Sequence, residues 1–334
     1  MKEKENIRLT AGEMSALWTQ YINDTLATCV NSYFLEKVED EEVRPVVEWV
    51  LDTAKENISI MQELFRRNDF PIPIGFTEQD VNPQAPRLFS DTFFLMYLRH
   101  MSNIAMAASS AALGLVTRPD VVDFHKRILQ KAVRLQDRTR DLMLKQGTYV
   151  RPPYISTPDK VGFVEKQHFL AGFFGNKRTL SSVEVSNLFL NVQSNAVGKV
   201  LITGFAQTAQ DGEVREFFNK GKQLSQKYID VFSSFLIKDN LPAPMSWDSA
   251  VSNTTRGIFS DKLMMYHVSA MIATGIGNFG MGIAASPRRD LGLKYASLIP
   301  EISLYAEDGA KIMIKHGWLE EPPLADDRDQ LIKS

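Results

Sequence analysis

The sequence predicts an all-α fold built from two similar four-helix bundles in tandem. Three observations predict it. Apolar residues recur at three- and four-residue steps through eight long segments, the chain repeats itself, and each repeat has one long connection between two short ones. The repeat is plainest in Phe89-Ser90-Asp91, which returns as Phe259-Ser260-Asp261 (259 − 89 = 170).

The first helical segment, EMSALWTQYINDTLATCVNSYFLEKV, begins with Thr10 three residues before Glu13, the spacing of a capping box that satisfies free amides at a helix start. EDEE then makes a charged turn into VRPVVEWVLDTAKENISIMQELF, whose apolar face is Val47, Val50, Leu51, Ala54, Ile58, Met61 and Phe65. The proline-rich NDFPIPIGFTEQDVNPQAP crosses to the third segment, LFSDTFFLMYLRHMSNIAMAASSAAL. TRPDV places a proline beside the start of the fourth, DVVDFHKRILQKAVRLQDRTRDLML.

The second copy keeps the order. LTAGEM from Leu9 becomes LSSVEV from Leu180, with Ser181 and Glu184 repeating the capping box. DFPIP at Asp69–Pro73 becomes NLPAP at Asn240–Pro244, and QGTYVRPPYI from Gln146 becomes HGWLEEPPLA from His316. A long crossover between two helical hairpins is the connectivity of ferritin-like bundles. Residues 1–150 and 180–334 are therefore expected to form the two bundles. Residues 151–179, with Pro152, Pro153 and Pro158, are expected to link them, and their apolar FLAGFF to pack across the junction.

Gly275, Gly277 and Gly280 spell G-x-G-x-x-G, a dinucleotide-binding pattern when it follows a strand. The repeat argues otherwise. Together with Gly282 these glycines align with Ala105, Ala107, Ser110 and Ala112, within a segment of continuous helical periodicity. Smallness is the shared requirement, and small residues are expected here to let neighbouring helices approach closely. From Leu263 to Pro287 there is no Asp, Glu, Lys or Arg, a run long enough to cross a bilayer, but it carries His267 and Asn278, and the sister helix carries Arg99 inside its own apolar run. The third helix of each copy is therefore expected to be a core helix, the most buried of its four, and no membrane span is expected.

The formal net charge of −2 and the scatter of basic residues give no patch for nucleic acid. Cys29 is the single cysteine, so there is no internal disulfide and no cysteine-rich zinc site, and it reads as a small core residue. The amino-terminal MKEKENIRLT is charged and lacks the apolar core of a secretory signal, which points to a cytoplasmic protein.

A four-helix bundle of this outline raises di-metal chemistry, which needs a glutamate from two helices and Glu-x-x-His from the other two. On the second helix Glu56 and Glu63 fall opposite the apolar stripe, and Glu48 and Asp52 lie off it. On the sixth, Glu216 and Asp230 again point away from the stripe. Glu13 and Glu184 read as capping residues. The one Glu-x-x-His, Glu165 to His168, lies in the linker, and His100 and His125 do not sit level on their helices. No metal site, cofactor or catalytic residue is expected, and no G-x-S-x-G, H-E-x-x-H or G-K-[ST] pattern anchors a reaction. One polar element remains. Tyr21 and Asp24 lie midway along the first helix, where polar residues can line a ligand pocket, and Asp24 aligns with Asn195 while Tyr21 aligns with Val192.

The runs NPQAPRLFSDTFF, FPIPIGFTEQDVN, YVRPPYI, LPAPMSWDS, FSDKLMM, GIGNFG and YAEDGAKIMI resemble the domain-of-unknown-function family numbered 3231 over essentially the whole chain. The resemblance implies ferritin-like helical bundles, often labelled spore-coat-like, and implies no reaction. A structural or interaction role is the reading that follows, with an unidentified protein partner or a homo-oligomer and a spore-associated setting carried by the label. The alternative is a degenerate ferritin-like enzyme or small-ligand binder with a pocket between helices.

Overall fold

Helices form where the apolar periodicity places them. In the computed structural model, which describes residues 7–172, 177–245 and 247–332, the first half contains α1 (Ala11–Lys37), α2 (Arg44–Arg67), α3 (Asp91–Leu113) and α4 (Pro119–Lys145). The second half contains α5 (Ser182–Thr208), α6 (Gly212–Lys238), α7 (Asp261–Ala285) and α8 (Arg289–Lys315), followed by one turn, α9 (Arg328–Leu331). Both predicted capping boxes are present, with the Thr10 and Ser181 hydroxyls accepting from the Glu13 and Glu184 amides.

Hydrogen bonds between helix ends give the topology. Asp91, at the start of α3, accepts the amides of Glu39 and Asp40 at the end of α1. Glu13, at the start of α1, accepts those of Thr117 and Arg118 between α3 and α4. So α1 and α3 are antiparallel, α2 and α3 are parallel, and the crossover from Asn68 to Ser90 travels the length of the bundle. Asp261 and Glu184 make the equivalent bonds in the second half, to Gln210 and Asp211 and to Arg288. The chain is all-α with two similar halves, and its connectivity fits the ferritin-like expectation.

The repeated Phe-Ser-Asp motif lies where the halves meet. The two crossovers pair through isolated bridges, Val81 with Phe259 and Phe89 with Val251. Each bridge maps onto the other when 170 is added to one partner and subtracted from the other, so a pseudo-twofold axis runs between the halves. All three motif residues now have physical roles. Phe89 and Phe259 are buried at the seam, and Ser90 and Ser260 cap α3 and α7 while their amides donate to Ala250 and Asp80 of the opposite crossover. Asp91 and Asp261 close the end of the first helix in their own half. Symmetry breaks at Gly204, the counterpart of Tyr33, where a Cβ would lie 2.6 Å from the Phe89 ring.

Three expectations are corrected. The third helices are not the most buried. α7 has nine buried residues against sixteen in α5, and only 22% of its most apolar stretch is buried. The first helices hold the central position, α5 packing on α6 and α7 and reaching α3 of the other half. Among the described residues α7 is the one helix long and apolar enough to cross a membrane by length and composition. Its amino-terminal half, from Leu263 to Val268, packs in the core of its bundle, whereas its carboxy-terminal half exposes Ala273, Gly277, Gly280, Met281 and Ala284.

The glycines divide accordingly. A Cβ at Gly282 would come within 2.6 Å of the Tyr295 ring, so this glycine does serve close packing, and Gly275 faces Ile302 at 3.4 Å. Gly277 and Gly280 have nothing within 4 Å of that position, because the outer face of α7 has no neighbouring helix. The described part of FLAGFF, residues 169–172, packs within the second half rather than across the junction. Phe169 lies under the Arg178 guanidinium and Gly172 lies against Asp290, while Phe173 and Phe174 fall outside the described residues.

Candidate functional site

Three polar constructions stand out against the apolar core. The first is on the pseudo-twofold axis, where Tyr97 of α3 meets its own counterpart, His267 of α7. The tyrosine hydroxyl and His267 Nε2 are 3.1 Å apart and buried. Burial, with His100 nearby, pushes the imidazole down to about 3, and burial alone pushes the Tyr97 phenol up. Both are neutral at physiological pH, so they share a hydrogen bond rather than a charge. With Phe205 at 5.7 Å from the imidazole, they form a specific seam.

The second construction is a carboxylate clamp at the base of each half. Glu13, 1% exposed, accepts from the Thr10 amide and hydroxyl at 2.8 and 2.9 Å, and from the Thr117 and Arg118 amides at 3.0 and 2.8 Å. Burial alone would raise its pKa, but these backbone donors outweigh burial and hold the carboxyl at about 2. In the second half Glu184 accepts from both Arg178 terminal nitrogens at 2.7 and 2.8 Å and from the amides of Ser181 and Arg288. Arg118 and Arg288, buried beside these acids, each fork onto an aspartate two residues on, Asp120 and Asp290. The expected capping role is therefore only half of what Glu13 does. It also ties the start of α1 to the start of α4.

The third construction is a largely apolar cavity with polar residues set in its wall, at the middle of each half. In the first half it encloses about 120 Å³ and all four helices line it, with Asp24 from α1, Asn57 from α2, Ser102 from α3 and Lys131 from α4. Asp24 Oδ2 accepts from Gln20 at 2.9 Å. Burial pushes its carboxyl up to about 7 against the opposing help of Gln20, Asn57 and Lys131. Lys131 turns outward to Glu56 at 2.6 Å. The second-half cavity, about 50 Å³, carries Asn195, Tyr228, Ile302 and Tyr305 where the first has Asp24, Asn57, Ala132 and Leu135. The ion pair between the second and fourth helices persists with its charges exchanged, as Lys227 with Glu301 at 2.7 Å.

Other residues singled out from the sequence are not brought together. Tyr21 packs edge-on to Phe65 and its hydroxyl accepts from Gln62, away from Asp24's cavity. His125 is buried beside Phe124, while His100 lines a small cavity at the seam with Arg99, Asn103 and Gln193. Glu165 and His168 are exposed in the linker. Glu48, Glu56, Glu63, Glu216 and Asp230 all lie at the surface, and Glu63 pairs with Arg67. Cys29 is a core thiol that donates to the Thr77 carbonyl, and burial raises its pKa to about 12. A cluster of Asp211, Glu213 and His316 lies at the top of the second half. It corresponds to Asp40, Glu42 and Gln146, which close the same helix ends in the first half by ordinary side-chain bonds.

Asn57 and Lys131 were not anticipated. Asn57 falls three residues after Ala54 and four before Met61, so its position on the second helix's apolar stripe was the available signal.

The fold and these constructions define an all-α protein of two pseudo-equivalent four-helix halves, clamped at their bases and joined about an internal axis. The chain belongs to the family described as "Protein of unknown function (DUF3231)", whose model matches residues 1–161 and again 168–331. No curated protein matches. A similar solved structure, from Bacillus halodurans C-125, is described as a "putative spore coat protein". It is 18% identical, covers 46% of this chain and 99% of its own, and superposes with a TM-score of 0.42.

Proposed function

We propose that the protein has a structural or interaction role, exercised by associating with further copies of itself through the outer faces of α3 and α7. One observation carries this reading. Ala107, Ser110 and Ala111 on α3 and their counterparts Gly277, Gly280 and Met281 on α7 are all exposed, on helix faces without a charged residue. Small side chains leave the backbone accessible to a second helix at close range. The net charge of −2 sets up little repulsion between copies. Two such faces per chain, related by the internal axis, give each molecule a valency of two, which favours open assembly over a closed dimer. A spore-associated setting accords with the family's label, and residues 1–150 and 180–334 remain the proposed limits of the two bundles.

Sedimentation velocity over a range of concentrations tests the reading. The wild-type chain is expected to associate, and Ser110→Arg with Gly280→Arg to shift it to monomer. The melting temperature should change little, since the Gly280 position faces open space. A wild-type chain that stays monomeric, or a double variant that associates equally well, would sink the proposal.

A further inference from the structure

The two mid-bundle cavities differ in a way that packing alone does not require. In the second half Tyr228, Ile302 and Tyr305 fill the space, and the polar residue on the first helix is the neutral Asn195. In the first half Asn57, Ala132 and Leu135 leave the larger volume open, and the residue facing it is a carboxylic acid. The larger space and the acid therefore occur together in one half, while the other has a smaller cavity and a neutral residue.

The first-half cavity offers acceptors and wants a donor. Asn57 is 2% exposed, and its Oδ1 is buried without a hydrogen-bond partner. Asp24, 7% exposed, accepts from Gln20 and is also held by the Asn57 side chain, and the nearest cation, Lys131, is held by Glu56. Apart from these two residues and from Ser102 and Lys131, the inner wall is apolar, with Val50, Ala54, Ile128, Ala132 and Leu135. A buried carboxylate and a buried amide oxygen at one end of an apolar chamber match a ligand with a cationic N–H head and a short hydrocarbon body. The size agrees, since an apolar cavity of about 150 Å³ holds a benzene-sized molecule.

We propose that this cavity binds a short-chain primary amine, its ammonium donating to Asp24 and Asn57 and its hydrocarbon lying against Ile128, Ala132 and Leu135. Half-buried Gln20, Trp49 and Thr53 at the rim give the path inward. The site is separate from the outer faces of α3 and α7, so its occupancy is independent of assembly.

Titration calorimetry on the full chain, with n-butylamine as the probe and n-butanol as its neutral analogue, tests the site. n-Butylamine should bind saturably with one site per chain, and n-butanol at least about tenfold more weakly, because it lacks the charge. Asp24→Asn should weaken n-butylamine by about tenfold or more. Ala132→Ile, which copies the sister residue Ile302, should abolish measurable binding. Both variants carry residues the second half already accommodates, and circular dichroism would confirm their folding. Absence of saturable n-butylamine binding, equal binding of n-butanol, or wild-type affinity in folded Asp24→Asn would each overturn the assignment.

Discussion

Replacing Asp24 by asparagine is expected to stabilise the protein by about 2–4 kcal/mol at about pH 8, and to change little at about pH 3. The direction follows from burial, which raises the Asp24 carboxyl from 3.8 to about 7. The folded state then keeps a proton that the unfolded chain releases. Asp24 costs nothing below the unfolded pKa, and its cost grows as pH climbs to about 7, after which it stays constant. Asparagine removes that cost and reproduces the sister residue Asn195. Urea unfolding of both proteins across this range measures the difference. Equal stability at alkaline pH would show that Asp24 is better solvated than its 7% exposure implies. A residue that lowers stability where its sister does not is expected at a binding site rather than in a purely structural core.

Glu13→Gln should act in the opposite sense, destabilising by about 3 kcal/mol at neutral pH. Here the backbone donors lower the folded pKa from 4.5 to about 2. The stabilisation is complete above the unfolded pKa and is lost as pH falls through the folded one. Between about pH 4.5 and pH 2 the wild type should therefore lose its advantage, and the two proteins should converge below it. Glutamine keeps one acceptor but loses the charge that five donors on two helix ends converge upon. A variant as stable as wild type at neutral pH would mean the clamp is replaceable by water.

Much of this architecture was legible in the chain. The eight amphipathic segments, the long crossover and the capping boxes at Thr10 and Ser181 are local patterns, and local patterns survive folding. The Glu13 bond to Arg118 spans more than a hundred residues, so only the capping half of its role could be read. The Phe-Ser-Asp repeat showed that something was preserved in both copies. It could not show that the two motifs bridge to one another's crossovers. Asn57 was hidden by its surroundings, a polar residue on a stripe read for its apolar members. Gly277 and Gly280 misled for a related reason. Smallness marks close approach, but periodicity does not say whether a neighbour is present, and the outer face of α7 has none.

The self-association proposed for those outer faces is tested most directly by cross-linking through a single introduced cysteine. Gly280→Cys places a thiol on the exposed face of α7, and native Cys29, 3% exposed, stays out of reach of the reagent. With a short bis-maleimide the variant should become covalently dimeric at concentrations where wild-type protein sediments as an assembly. Ser297→Cys, on the exposed surface of α8, should remain monomeric under the same treatment. A Gly280→Cys chain that does not cross-link, or one that cross-links no better than Ser297→Cys, would contradict an assembly built on these helices.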